Sequence, residues 1–181
     1  MTFFPLIEEA DVRDSEVAQV YEEIRQQLGF GIVPNIFKSM AIRPALLRVN
    51  WDKFRATILT GYLPRTLKEM IGILISQANG SEYALRVHLQ GLSALGMSEE
   101  VLQMLVHDYQ KCPLPEREKA VLRFGLLAAT DPLQLDQADY EELRLHALRD
   151  EEIFEIVATA DLFSSINAYT DSVCVEIDQL G

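Results

Sequence analysis

Apolar residues recur at intervals of three and four along nearly the whole chain, and no stretch of strand length alternates apolar with polar side chains. That period sets the expected fold class as all-α, a multi-helix bundle. Val17, Val20, Tyr21, Ile24 and Leu28 make one stripe, opened by Asp14-Ser15 and closed by Gly29. A short loop through Gly31 and Pro34 leads to a weaker helical turn near Ile36 to Met40. Leu47, Trp51, Phe54 and Ile58 form the next stripe, starting after Pro44 and ended by Gly61. The most apolar helix follows Pro64 with Leu67, Met70, Ile71, Leu74 and Ile75, and stops at Asn79-Gly80. The spacing predicts a further helix from about Ser81 to Leu95, ended by Gly96. Others open at Ser98-Glu99-Glu100, Pro115, Pro132 and Asp150-Glu151-Glu152, where caps and acids suit the positive end of a helix.

No Gly-, Ser- or Pro-rich linker divides the 181 residues, so one domain over 1–181 is expected. The 28 acids against 16 bases give a net charge of −12, which repels phosphate backbones and anionic lipid. Nucleic acid and membrane surfaces are therefore not expected partners. The N-terminus has neither the basic stretch nor the long apolar core of a signal peptide, and the apolar run at Met70 to Ile75 is broken by Gly72 and too short to span a bilayer. A cytoplasmic location follows as an expectation. Cys112 and Cys174 sit in no motif, and buried thiols are expected rather than a disulfide.

A faint internal repeat runs through the chain. Leu63-Pro64, Lys68 and Ile71 match Leu114-Pro115, Lys119 and Leu122 at an offset of 51, and Ser98 to Leu102 matches Asp150 to Phe154 at 52. Two copies of a multi-helix unit would explain both, with a core motif over 63–96 and a degenerate second half over about 114–179. The position of Glu69 in the first copy becomes Ala120 in the second, and that of His88 becomes Tyr140. Polar chemistry thus belongs to the first copy alone.

Glu69 sits within the apolar helix, where burial would fit it for proton transfer. The plain alternative is a surface glutamate beside Lys68 and Arg65. His88 lies on the next helix, on one stripe with Ser81 and Ala84, and small Ala84 leaves room beside the imidazole. Its plain alternative is a histidine satisfied by a backbone carbonyl. Ser81 also reads as a helix cap, Tyr83 as a packing residue and Arg86 as a surface residue. His107 and His146 have no partners at telling spacings. No three ligands converge for a metal, and neither a phosphate-cradling loop nor a dinucleotide fingerprint is present, so no cofactor is expected.

The segment from Leu63 to His88, LPRTLKEMIGILISQANGSEYALRVH, resembles the core of the alkylhydroperoxidase D-like proteins of the carboxymuconolactone decarboxylase superfamily. Their pattern is a glutamate, eleven residues, Cys-x-x-Cys, three residues, then histidine. Glu69 and His88 fall on the glutamate and histidine, and Ser81 and Ala84 on the two cysteines. Val33 to Phe37, Glu116 to Ala120 and Asp150 to Ile153 are similar to the peroxidase-related branch. The resemblance implies an alkylhydroperoxidase D-like bundle, a homo-oligomer and a small-molecule substrate. In that family one cysteine attacks a peroxide and the other resolves it as a disulfide, with the glutamate and histidine moving protons. Serine forms no disulfide and is hard to deprotonate, and alanine supplies nothing, so that chemistry cannot run as written here. Two readings follow. In one, Glu69 and His88 keep acid–base chemistry on a small molecule while Ser81 and Tyr83 orient it. In the other, the chain is a non-catalytic small-molecule binder or oligomeric scaffold.

Overall fold

The computed structural model describes residues 2–178; Met1 and residues 179–181, the outermost positions of the expected domain and of its second half, lie outside the described residues. Among the described residues there are nine α-helices and no strand. They are α1 (Ser15–Leu28), α2 (Asn35–Met40), α3 (Pro44–Phe54), α4 (Arg65–Asn79), α5 (Glu82–Ala94), α6 (Glu99–Asp108), α7 (Glu116–Thr130), α8 (Gln137–Leu145) and α9 (Asp150–Val173). None of them is long and apolar enough to cross a membrane.

Helix α4 is the axis of the molecule. Every residue from Leu67 to Ser76 is buried, because α5, α6, α7 and α9 all pack on it. A helix buried all round carries its polar residues inward with the rest. Lys68 and Glu69, which could have formed a solvated pair, are 0% and 5% exposed. The Lys68 ammonium donates to the carbonyls of Thr57 (2.8 Å) and Thr60 (2.6 Å) and pairs with Glu155 at 3.2 Å. Glu155 in turn accepts from the Tyr62 and Leu63 amides. This cluster explains a departure from the single stripe expected through Ile58. Beyond Phe54 the helix widens into a π-turn over Arg55–Leu59, and carbonyls released there are taken up by the buried ammonium.

The apolar interior falls into two clusters. One joins α1, α2 and α3 to Tyr83, Val173 and Val175; the other joins α4 to α9. Phe54, Leu59 and Ile166 pack against both.

The two halves share a register of 51 positions. Arg65 and Glu116 open α4 and α7, each 15 residues long, and Glu99 and Asp150 open α6 and α9. The left-handed residues Gly96 (φ 91°) and Ala147 (φ 60°) obey the same spacing. Asp150 is thus the first residue of α9 rather than its cap; Arg149 holds the cap position, and its amide donates to Glu152 at 3.0 Å. In this register His88 corresponds to Asp139 rather than Tyr140. Asp139 pairs with Arg123 at 2.8 Å, and Arg123 corresponds to Gly72. Pro132 begins only a 3-10 turn; α8 starts later, its N-terminal amides capped by Asp136. Both cysteines are free, but only Cys112 is buried. Cys174 is exposed because it ends α9 in a left-handed conformation at the surface (φ 55°).

Candidate active site

The Asn79-Gly80 turn, with Gly80 at φ 69°, reverses the chain so that α4 and α5 lie side by side. Glu69 and His88 meet directly: Glu69 Oε2 is 2.7 Å from His88 Nδ1, and each residue is 5% exposed. The other oxygen, Oε1, accepts from Arg65 Nε at 3.3 Å, one turn earlier on α4. Arg65 Nη1 donates to the Leu28 carbonyl at 2.9 Å, which ties the end of α1 to the pair. Burial alone pushes the Glu69 carboxyl upward. The hydrogen bond to His88, the positive charge of that ring when it is protonated, and the charge of Arg65 outweigh it and hold the pKa below the usual glutamate value. A carboxylate can only accept, so Nδ1 carries the proton toward it and Nε2 is left as the working atom of the ring. Among the described residues no hydrogen-bond partner meets Nε2.

The imidazole is held by shape as well. A Cβ at Gly72 would stand 2.5 Å from both Cε1 and Nε2, so only glycine lets the ring lie against α4. Phe163 of α9 meets the ring edge-on at 4.4 Å between centroids. Beside this triad of Arg65, Glu69 and His88 is a cavity of about 50 Å³, walled by Phe30, Ile36, Phe37, Val87 and Ile166 among others. Ala84 lines it too, where a larger side chain would intrude.

The four residues expected at the site are not all placed alike. Glu69, His88 and Tyr83 line the cavity, and Ser81 does not. The Ser81 hydroxyl, 1% exposed, donates to Asp171 of α9 at 2.9 Å, and it caps no amide of α5. Tyr83 presents its ring, but its hydroxyl is engaged elsewhere. It donates to Asp178 Oδ2 at 2.7 Å and accepts from the Ile36 amide at 3.2 Å. Burial and the neighbouring Asp178 carboxyl raise the Tyr83 pKa well above that of a free phenol. Neither hydroxyl is therefore free to orient a molecule in the cavity. Two participants escaped the sequence reading. Arg65 is legible in hindsight, four residues before Glu69; Asp178 is not, since it reaches Tyr83 across 95 positions. Among the described residues no group of three His, Cys, Asp or Glu side chains is placed to hold a metal ion.

Comparison with known proteins agrees with this architecture. Residues 44–109 match the carboxymuconolactone decarboxylase family. A stretch of 89 residues is 28% identical to an alkyl hydroperoxide reductase of Mycobacterium tuberculosis, covering 49% of this chain and only 25% of that protein. The chain thus spans about a quarter of that relative's length. Among solved structures, it is similar to the alkylhydroperoxidase core of an uncharacterised peroxidase-related protein from Ralstonia eutropha, at 27% identity and a TM-score of 0.88, covering 98% of this chain and 93% of the other. A peroxidase-related protein from a Silicibacter species gives 25% and 0.87, covering 98% and 92%. Residues 44–109 thus resemble the carboxymuconolactone decarboxylase family, and the chain as a whole takes the all-α fold of the alkylhydroperoxidase D-like proteins.

Proposed function

We propose that the cavity performs acid–base chemistry on a compact small molecule, with His88 Nε2 transferring the proton and without thiol participation. The observation that carries this reading is the buried 2.7 Å contact between Glu69 and His88. With Nδ1–H committed to the carboxylate, the Nε2 lone pair takes a proton from the bound molecule. The resulting imidazolium is stabilised by Glu69, and the proton is returned from the same atom. His88, and to a lesser extent Arg65, favour the ionised form of Glu69, and Arg65 holds its second oxygen in place.

The residues aligned with the family's cysteines support the exclusion of thiol chemistry. Ser81 and Ala84 supply no thiolate, and the Asp171 carboxylate beside Ser81 would disfavour a thiolate even if a cysteine stood there. The cavity bounds the substrate: about 50 Å³ is roughly a third of the ~150 Å³ that holds a benzene ring. The molecule that fits it is therefore compact.

Two assays on the intact protein test the reading. Hydroperoxide consumption with a dithiol reductant should stay at background, and a Ser81→Cys, Ala84→Cys double variant should gain little because of Asp171. Deuterium exchange into a panel of compact ketones and lactones, followed by NMR, should be accelerated by the wild type and lost in His88→Ala. Peroxide turnover that vanishes in Cys112→Ser or Cys174→Ser would defeat the thiol-free mechanism. Binding of panel compounds without any exchange would leave the pocket as a small-molecule binder.

A further inference from the structure

A second concavity lies on the other side of Ile166, whose side chain lines both. It is a groove of about 270 Å³ between α2, α3 and α9. Its floor is apolar, built from the buried side chains of Met40, Leu162 and Val173 together with Ile166. Arg43 and Lys53 stand at its rim, and no Asp or Glu contributes to its lining. That is unexpected in a chain with 28 acids against 16 bases.

Most polar groups of the groove are engaged within the protein; the exposed Ser165 hydroxyl is a small neutral group, and among the described residues Arg43 is the unpaired cation. Lys53 pairs with Asp161 at 2.7 Å. The Ser39 hydroxyl donates to the Ile36 carbonyl at 2.7 Å, so the Tyr169 hydroxyl, 3.0 Å away, donates to Ser39. The Asn50 amide donates to the Leu46 carbonyl. Arg43 is exposed and, among the described residues, has no carboxylate partner. A guanidinium with no carboxylate partner among the described residues, beside an apolar floor, complements one kind of molecule: an acid head on a hydrocarbon body.

We propose that this groove binds an amphipathic monocarboxylate, its chain on the Met40–Leu162–Val173 floor and its carboxylate on Arg43. A phosphodiester or polyanion would meet the net charge of −12 over a wider surface, whereas a single carboxylate engages the local cation at short range. The site is separate from the chemistry assigned to His88, and either can fail without the other.

The test is calorimetric titration of the full chain with octanoate, beside octanol and beside the Arg43→Ala and Arg43→Glu variants. Arg43 is exposed and has no carboxylate partner among the described residues, so neither variant should disturb folding. Octanoate should bind the wild type, shift the Met40 methyl resonance, weaken with added salt, and bind about tenfold or more weakly to Arg43→Ala. Octanol bound as well as octanoate would overturn the proposal, as would unchanged affinity in Arg43→Ala. So would absence of octanoate binding together with an oligomer, seen by light scattering, that dissociates in Arg43→Glu. That last outcome would assign the groove to a second copy of this chain.

Discussion

At Glu69 burial and pairing oppose each other, and pairing prevails: a carboxyl that desolvation would push upward is held below its usual pKa by His88 and Arg65. A depressed folded pKa gives stability that is present above the ordinary glutamate range and is lost as pH falls through the lowered value. Glu69→Gln should therefore cost about 2 kcal/mol at neutral pH in urea unfolding, and the gap to the wild type should narrow as the pH is lowered through that window. A gap that stays constant with pH would mean that Glu69 contributes through its shape alone. Gly72 gives an independent handle on the same ring. Gly72→Ala would drive a methyl group into Cε1 and Nε2, so the imidazole must leave Glu69. We expect about 1–3 kcal/mol of destabilisation and loss of the Nδ1–carboxylate signature in the 15N NMR spectrum of His88. Part of this was legible beforehand: an acid inside an apolar helix and an imidazole one hairpin away. The glycine that admits the ring was not, because a gap has no side chain to read.

Among the elements, α2 depends most on others. It has six residues and no side-chain cap of its own, and its first amide is capped instead by Asp178, with Asn35 N donating to Oδ1 at 2.7 Å. Asp178 thus ties the start of α2 to Tyr83, whose hydroxyl also accepts from the Ile36 amide. Burial raises the Asp178 pKa despite its hydrogen bonds to Tyr83 and Asn35. A raised carboxyl pKa means that the stability Asp178 contributes is fully present below the ordinary aspartate range and is lost as pH rises through the folded value. Tyr83→Phe removes the acceptor of the Ile36 amide and a donor to Asp178, and should cost about 1–3 kcal/mol. Amide exchange at Ile36 should speed up in that variant; unchanged protection would show that the amide finds another acceptor. Helix starts at Pro44, Pro64 and Ser98 follow from local chemistry in the sequence, and so does α1, whose Asp14 cap and Gly29 stop are both used. The π-turn at Arg55–Leu59 does not, since its cause, Lys68, acts from another element.

In the whole molecule the two apolar clusters meet at Phe54, Leu59 and Ile166, next to the cavity. Trp51 lies in the N-terminal cluster and stacks near Phe54 (6.0 Å), so its fluorescence reports on that half. Shared packing predicts one cooperative transition, with Trp51 fluorescence and far-UV circular dichroism coinciding in urea. An earlier fluorescence transition would show that the α1–α3 cluster opens separately from α4–α9. The sequence by itself determined the helical class, most helix boundaries and the offset near 51, because these depend on residues three, four or seven places apart in one chain segment. It also marked Glu69 and His88 as the pair to watch. Only the tertiary structure decided that α4 is buried on every side, that Ser81 turns to Asp171 and Tyr83 to Asp178, and that Arg43, without a carboxylate partner among the described residues, lines an apolar groove. Those outcomes depend on which distant side chain arrives beside a given atom, and hydrogen bonds and desolvation act only over that last few ångströms.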